Sequence, residues 1–239
     1  MTLGQFQEIY KISRSDIDEE DKMTEMVAAM TGRTPNEVDS LSIPEFNQLA
    51  AQVKEALSKP LPDAKATPVI NGHGITYEPA KLNRGQYVTL NHFLKGDVLE
   101  NAHLILASVS YNPKTKQHEP DRHNEIAEAL QSAPLEQVVA ACLFFLSSLR
   151  DFNIGCGELF GQGTDEGDDE SPRQGSDAES FDGRFGWLYN AKQVADFEGI
   201  SLDECFEKDV TSFLNYLIYL KAYSSHQEKL MKNARNTNG

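Results

Sequence analysis

The residues that could perform chemistry are a few histidines and cysteines in the middle of the chain. His118 and His123, taken with Cys142 or Cys156, are a set in which a zinc site would be sought. Structural zinc sites use short, regular spacings between their ligands, and these four residues show none. Cys142 lies in the apolar run "QVVAACLFFL", where burial raises the pKa of a thiol and makes it a poor nucleophile. We therefore expect no metal, no cofactor and no catalytic cysteine.

An acidic run, "DEGDDE" from Asp165 to Glu170, could attract a divalent cation through its carboxylates. A calcium loop needs ligands at alternate positions and a closing Glu at the twelfth, and this run lacks that spacing. A solvated run of charge is the favoured interpretation. The nearby "GCGELFGQG" follows a helix and has no Lys, which argues against a phosphate-binding loop. Because the sequence has no GxSxG, HExxH, Walker or Rossmann motif, we predict that the protein is not an enzyme.

The segment "QVADFEGISLDECF" has the helix–turn–helix layout of many DNA-binding proteins. Their second helix carries Arg, Lys, Asn or Gln to the base edges, whereas this one carries Asp203, Glu204, Glu207 and Asp209. The whole chain has a formal charge of -15 and a sequence pI ≈ 4.8, so nucleic-acid phosphates and anionic lipids repel it. We predict a packed helical hairpin, and we expect neither nucleic acid nor membrane as a partner.

The elements that would position functional residues are mostly helices. Met23, Met26 and Met30 recur at helical spacing and form an apolar stripe on one of the first helices. Methionine side chains repack easily against varied partners, so this stripe is a candidate partner-binding surface. The alternative interpretation is that the three methionines belong to the core.

A two-stranded hairpin is predicted near residues 68–78. Val69-Ile70 and the stretch from Ile75 to Tyr77 flank Asn71-Gly72, the strongest short-range hairpin signal. A lone hairpin is barely stable in water, so we expect it to pack on helices or to pair with another strand. Exposed strand edges can recruit a partner chain, which makes Ile75 and Tyr77 candidate binding residues.

Two segments share one pattern at the start of a helix: "LGQFQEIYKI" after Thr2 and "RGQYVTLNHFL" after Asn83. Each has a capping-type residue, then Gly-Gln, then an aromatic residue followed by apolar residues at helical spacing. We interpret the aromatic residues, Phe6 and Tyr87, as anchors of both helices in a common core. The sequence indicates further capping boxes at Thr34 with Glu37, Ser42 with Glu45 and Ser201 with Glu204.

The predicted fold class is mainly α with a small β-hairpin (α+β). Residues 1–155 form a helical domain, residues 156–184 an acidic Gly/Ser-rich flexible linker, and residues 185–235 a helical module, followed by a frayed tail at 236–239. Trp187 and Tyr189 at the start of the module are further candidate binding residues. If the acidic stretch is a linker, cleavage between Gly163 and Asp182 should give two soluble pieces.

The order of these features resembles the tail assembly chaperones and related morphogenesis proteins of long-tailed bacteriophages. The similar pieces are "TLGQFQEIYKI", the "INGHGITYEP" hairpin leading into "LNRGQYVTLNHFL", the "ACLFFLSSL" helix, and the module beginning "FGWLYNAKQVADFEGIS" after a polar linker. The resemblance implies an amino-terminal domain joined by a variable linker to a helical extension. It also implies binding to the tape-measure protein and recruitment of tail-tube subunits. It implies no site residues, and the acidic linker is longer and more charged than it requires.

We therefore expect a non-enzymatic phage assembly factor that binds tape-measure and tail-tube proteins and forms homo-oligomers. One alternative is a structural subunit of the tail or head–tail connector, and another is an enzyme whose site combines distant carboxylates and histidines. The first residues lack a signal-peptide pattern, and the longest apolar runs are shorter than the ~20 residues that span a bilayer. The expected location is the host cytoplasm, or the virion if the protein is a structural subunit.

Overall fold

The computed structural model describes residues 1–155 and 181–237, which form a mainly α structure with one small antiparallel sheet. The predicted fold class is confirmed. In chain order the elements are α1 Leu3–Ser13, α2 Glu19–Thr31, α3 Pro35–Asp39, α4 Ile43–Ser58, β1 Val69–Ile70, β2 His73–Ile75, α5 Arg84–Phe93, α6 Val98–Ser108, β3 Ser110–Tyr111, α7 His123–Gln131, α8 Leu135–Gly155, α9 Phe181–Glu198, α10 Leu202–Glu207 and α11 Val210–Thr237. Short 3-10 helices lie at Pro79–Lys81 and Pro120–Arg122.

These elements form two compact units that do not follow each other along the chain. Unit 1 consists of Met1–Tyr77 and Leu90–Leu146, and unit 2 consists of Glu78–Thr89 and Ser147–Gly239. The predicted module at 185–235 therefore belongs to unit 2, which also takes residues 78–89 from the first half of the chain. Helices α5 and α8 each contribute residues to both units.

Two predicted boundaries differ from the structure by less than two turns of helix. Helix α9 begins at Phe181, inside the predicted linker 156–184, and α11 continues to Thr237, inside the predicted tail. Helix ends are hard to place from a sequence because assignments vary there by one or two residues and a terminal turn buries little surface. Residues 156–180 of the predicted linker, which include Cys156 and the "DEGDDE" run, lie outside the described residues.

Reciprocal capping boxes begin several helices, as predicted. At α10 the Glu204 amide donates to Ser201 Oγ at 3.1 Å, and the Ser201 amide donates to Glu204 Oε2 at 2.9 Å. The helices that precede α3 and α10 end at Gly32 and Gly199, each with φ of 69°, a left-handed conformation that glycine adopts readily. The layout of helix, Gly turn and capped helix thus occurs in both units. Equivalent boxes form at Thr34–Glu37 and Ser42–Glu45.

The repeated "GQ-aromatic" pattern also forms a capping box twice. The backbone amide of Gln5 donates to Thr2 Oγ1 at 3.2 Å, and the backbone amide of Thr2 donates to Gln5 Oε1 at 2.9 Å. In the second copy the backbone amide of Gln86 donates to Asn83 Oδ1 at 2.7 Å, and the backbone amide of Asn83 donates to Gln86 Oε1 at 3.1 Å. The prediction that this pattern starts a helix is therefore confirmed.

Each copy of the pattern also forms a short antiparallel bridge to the residue before another helix. Thr2 pairs with Pro134, just before α8, and Asn83 pairs with Asp209, just before α11. Phe6 and Tyr87 are both buried, as predicted. Phe6 belongs to unit 1 and Tyr87 to unit 2.

The predicted hairpin forms, and a third strand extends it. Asn71 and Gly72 have φ of 45° and 83°, so both central residues of the turn are left-handed as a primed turn requires. β1 pairs with β2, and β2 pairs with β3 through Gly74 opposite Tyr111. A Cβ on Gly74 would lie 2.4 Å from Tyr111 Cζ, so only glycine leaves room for the ring that crosses the strand. The strand order is β1-β2-β3.

Helix α8 is long and largely apolar. Its 21 residues are long and apolar enough to cross a membrane by length and composition alone, so the expectation that every apolar run is too short does not hold for this helix. Core helices of globular proteins pass the same test. On α8 the buried residues include Val138, Val139, Ala141, Cys142 and Phe145.

Candidate functional site

The three predicted methionines lie on α2, where they face the core of unit 1 to different degrees. Met26 is buried in a cluster with Ile9, Val27 and Val53, while Met23 and Met30 are partly buried against that cluster. Met30 additionally lines a groove on the surface of unit 1. Of the predicted stripe, Met30 is therefore the residue that the structure places at an open surface.

The predicted hairpin residues are mostly engaged within unit 1. Ile75 is 4% exposed, and the Tyr77 ring packs edge-to-face on Phe144 with ring centroids 5.3 Å apart. The Tyr77 hydroxyl donates to the Thr67 carbonyl and accepts from the Thr67 amide, both at 2.8 Å. Burial raises the pKa of Tyr77, so the phenol is held in its neutral form.

The predicted aromatic residues of unit 2 differ in their environment. Trp187 packs edge-to-face against Tyr87 at 5.4 Å between ring centroids and lies near Phe213 at 6.3 Å. Trp187 therefore helps to hold α9 to the buried aromatic anchor of this unit. Tyr189 is 51% exposed on α9.

A candidate binding surface in unit 1 is a groove of ≈ 1270 Å³. Phe6 and Tyr10 of α1 form one wall, and their rings stack at 5.8 Å between centroids. The end of α4 and the segment Lys59–Pro62 form another wall, and the start of α8 completes it. Large apolar lining residues are Met1, Phe6, Tyr10, Met30, Leu57, Leu61, Leu99, Leu135 and Val139.

One ion pair joins two walls of this groove. Lys59 Nζ lies 2.6 Å from Glu136 Oε1, and both side chains are more than half exposed. The pairing raises the pKa of Lys59 and lowers the pKa of Glu136, chiefly through their hydrogen bond. An exposed pair of this kind contributes little to stability. Both residues line the groove.

The sequence did not indicate the groove as a site, although its patterns indicated two of the elements that form it. The spacing of Phe6 and Tyr10 gave a helical stripe, and Pro60 and Pro62 marked the end of α4. What no local pattern shows is that Leu99 and Leu135 come to the same surface from positions far along the chain. Pairing across such separations is set by tertiary packing.

Arg84, which the sequence did not single out, makes five side-chain hydrogen bonds in unit 2. Its guanidinium is fully buried and forms a bidentate ion pair with Glu198, at 3.0 Å from Nη1 to Oε2 and 2.9 Å from Nη2 to Oε1. Nη1 also donates to Cys205 Sγ at 3.1 Å, Nη2 to Ser212 Oγ at 2.9 Å, and Nε to the Asp209 carbonyl at 3.2 Å. These five bonds match the five N–H donors of a guanidinium.

The charges around Arg84 reinforce this network. The hydrogen bond from Arg84 lowers the pKa of Glu198, although burial opposes the shift. Lys208 lies 3.3 Å from the same carboxylate. The Arg84 guanidinium also lies over the Phe213 ring, 5.5 Å from its centroid. A fully satisfied and buried cation of this kind holds α5, α9 and α11 together and leaves no donor for a ligand.

The other residues considered for chemistry are dispersed. Burial raises the pKa of Cys142 to about 12, so its thiol is protonated at neutral pH. His118 Nδ1 lies 2.9 Å from the Ser110 carbonyl, and His123 Nε2 lies 3.2 Å from Ser108 Oγ. Within residues 1–155 and 181–237, no group of three or more His, Cys, Asp or Glu side chains has metal-binding geometry.

Two of the four carboxylates of the helix–turn–helix segment, Glu204 and Asp209, serve local roles in the structure. Glu204 accepts the capping-box bonds at α10. Asp209 Oδ1 accepts from the Ser212 amide at 2.7 Å at the start of α11. Unit 1 has the same turn geometry at Gly32, so both units contain this arrangement of a helix, a left-handed Gly and a capped helix.

Comparisons with known proteins give no relative for this chain. No protein family matches it, and no curated protein or solved structure is significantly similar to it.

Proposed function

We propose that the protein is a non-enzymatic phage assembly factor that binds other virion proteins, with the tape-measure and tail-tube proteins as its clients. The observation that carries the proposal is the groove of unit 1, which is open to solvent and lined by aromatic and aliphatic side chains together with polar ones such as Gln5 and Gln52. The resemblance of the sequence pattern to tail assembly chaperones supplies the identity of the clients. The protein and its clients belong to the host cytoplasm during assembly.

The apolar side chains of the groove suit the apolar face of a helical client. An amphipathic helix binds by laying its apolar face into such a groove. Phe6, Tyr10 and Leu61 would contact that face, while the exposed ion pair of Lys59 and Glu136 would lie beside its polar edge. The charge of -15 keeps a chain with an open apolar surface soluble.

A pulldown with the long helical tape-measure protein of the same phage tests this proposal. We expect the tape-measure protein to co-purify with the wild-type chain, and Leu61→Glu to reduce its recovery because a carboxylate in an apolar groove stays unpaired. Ile17→Glu is the matched control, since Ile17 is also exposed and aliphatic in unit 1 but lies outside the groove. Absence of co-purification with the wild-type chain would contradict the chaperone function.

A structural subunit of the tail or head–tail connector is the second candidate, and the sheet edge favours it. β1 is an outer strand, and its residue Val69 is 46% exposed. A partner strand could extend the sheet there. Detection of the chain in purified particles at the copy number of a ring would favour this subunit function over the chaperone function, whose protein leaves before the particle is complete.

A further inference from the structure

Helix α11 is packed in its first half and exposed in its second. Val210, Phe213, Leu214 and Leu217 are buried in unit 2, whereas residues 221–233 are exposed, apart from the half-buried Gln227. An exposed helical segment of this length is marginal by itself in water. It becomes stable when an apolar face packs against another helix.

The exposed half continues an apolar stripe that begins in the core. In heptad notation Phe213, Leu220 and Gln227 occupy a positions, and Tyr216, Tyr223 and Leu230 occupy d positions, which covers three heptads up to Asn233. We call these six residues the heptad seam. Phe213 is buried and Tyr216 lies 5.4 Å from Phe197 between ring centroids, so the seam starts as an interface within unit 2. Tyr223 and Leu230 are 50% and 48% exposed.

The charges of α11 avoid the seam. From Tyr216 to Asn233 the charged residues are Lys221, Glu228, Lys229 and Lys232, which occupy b and c positions and one f position. The e and g positions that flank a coiled-coil interface carry Tyr219, Ser224, His226, Met231 and Asn233 beside the buried Leu217. Coiled coils choose unlike partners by opposite charges at e and g. A flank without Asp, Glu, Lys or Arg offers no such selection and causes no repulsion between two identical helices.

We propose that the exposed part of the heptad seam, from Leu220 to Leu230, binds a second copy of this chain and forms a parallel two-stranded coiled coil. The three lysines and one glutamate of this segment give it a charge of +2, while the whole chain carries -15, so this segment repels a second acidic chain less than the chain as a whole does. In the parallel arrangement the two Gln227 amides meet at one level and hydrogen-bond each other. A single polar a residue of this type fixes register and chain number.

Analytical ultracentrifugation of the full chain tests the dimer. We expect a species of twice the 26.6 kDa monomer mass. Leu230→Glu should raise the dimer dissociation constant by roughly 100-fold, because each seam would bury an unpaired carboxylate. Ser225→Glu adds the same charge at an f position and should leave the constant within about threefold of wild type. Leu230 is half exposed in the single chain, so the variant should keep the wild-type circular dichroism spectrum.

Disulfide trapping tests the parallel register. In a Cys156→Ser background, Gln227→Cys should oxidise to a covalent dimer, because paired a positions bring two Cα atoms within the ~7 Å that a disulfide spans. Lys229→Cys, at a c position, should stay monomeric under the same oxidation.

Three results would overturn the proposed seam: a monomeric wild-type chain, a dimer that Leu230→Glu does not weaken, or trapping at residue 229 instead of 227. The proposed seam goes beyond the proposed function. The two are tested independently, because the ultracentrifugation and disulfide-trapping experiments contain no tape-measure protein. A dimer with no client binding would contradict the assembly function alone, and client binding by a monomer would contradict the seam alone.

Discussion

Arg84 shows how a single residue can organise a unit without taking part in binding. The equivalent position in the first copy of the helix-start pattern is Leu3, which is buried as an apolar side chain. In unit 2 the same position holds a guanidinium, and Glu198, Cys205 and Ser212 are arranged to satisfy it. No pattern within the "RGQY" segment indicates this, because its partners lie more than 100 residues further along the chain.

We predict that Arg84→Met lowers the free energy of unfolding by about 3–5 kcal/mol, since it leaves Glu198 almost buried without its main partner. Urea unfolding followed by tryptophan fluorescence measures this, because Trp187 lies in the same unit. Arg14→Met is the control: Arg14 is mostly exposed beside Asp97, so its loss should lower the free energy of unfolding much less. If Arg84→Met is as stable as Arg14→Met, the network does not stabilise unit 2.

His103 gives unit 1 a defined response to acid. Burial, and then the neighbouring His123, lower the pKa of His103 below its ordinary 6.5 in the folded chain. The unfolded chain therefore takes up the proton first, and we predict that stability falls as the pH drops below 6.5 and levels off below the folded pKa. Denaturant titrations from pH 8 to pH 5 should show this loss in the wild type and a flatter profile in His103→Gln. An unchanged slope in His103→Gln would contradict the assignment.

The helices and the hairpin could be predicted because their signals are local. Ser201 and Glu204 lie three residues apart and form a capping box, and Asn71-Gly72 forms the hairpin turn. Neighbouring residues therefore determine both the start of the helix and the turn. The third strand was not predicted, because Ser110–Tyr111 is too short to show alternation and becomes a strand only by pairing with β2. The groove was missed for the same reason: Tyr10 and Leu135 meet only when the helices pack.

The sheet depends on one close approach between strands. We predict that Gly74→Ala destabilises the protein by about 1–3 kcal/mol, because the added methyl group would overlap the Tyr111 ring. Thermal unfolding should show a lower Tm. A second substitution, Tyr111→Ala, makes room for the methyl group, so Gly74→Ala should cost clearly less in that background. Equal costs in both backgrounds would show that the ring is not the obstacle.

At the scale of the molecule, the division into units changes what cleavage of the acidic stretch should do. The sequence suggested an amino-terminal domain and a separable module. In the structure, unit 2 combines residues 78–89 with residues 147–239, so a cut between residues 163 and 180 divides this unit instead of separating two domains. Arg84 and Asn83 would lie on one fragment, and Glu198, Cys205 and Asp209 on the other.

We therefore predict that a chain carrying a protease site between residues 163 and 180 stays in one particle after complete cleavage. Its fragments should co-elute on size exclusion and separate only in denaturant, because the bidentate ion pair of Arg84 and the bridge from Asn83 to Asp209 join them. Introducing Arg84→Met into the cleaved chain should promote separation, since cleavage removes the covalent link that otherwise keeps the two surfaces at high effective concentration. Two fragments that elute apart with Arg84 intact would show that residues 78–89 do not belong to unit 2, and the module at 185–235 would then fold as an independent domain.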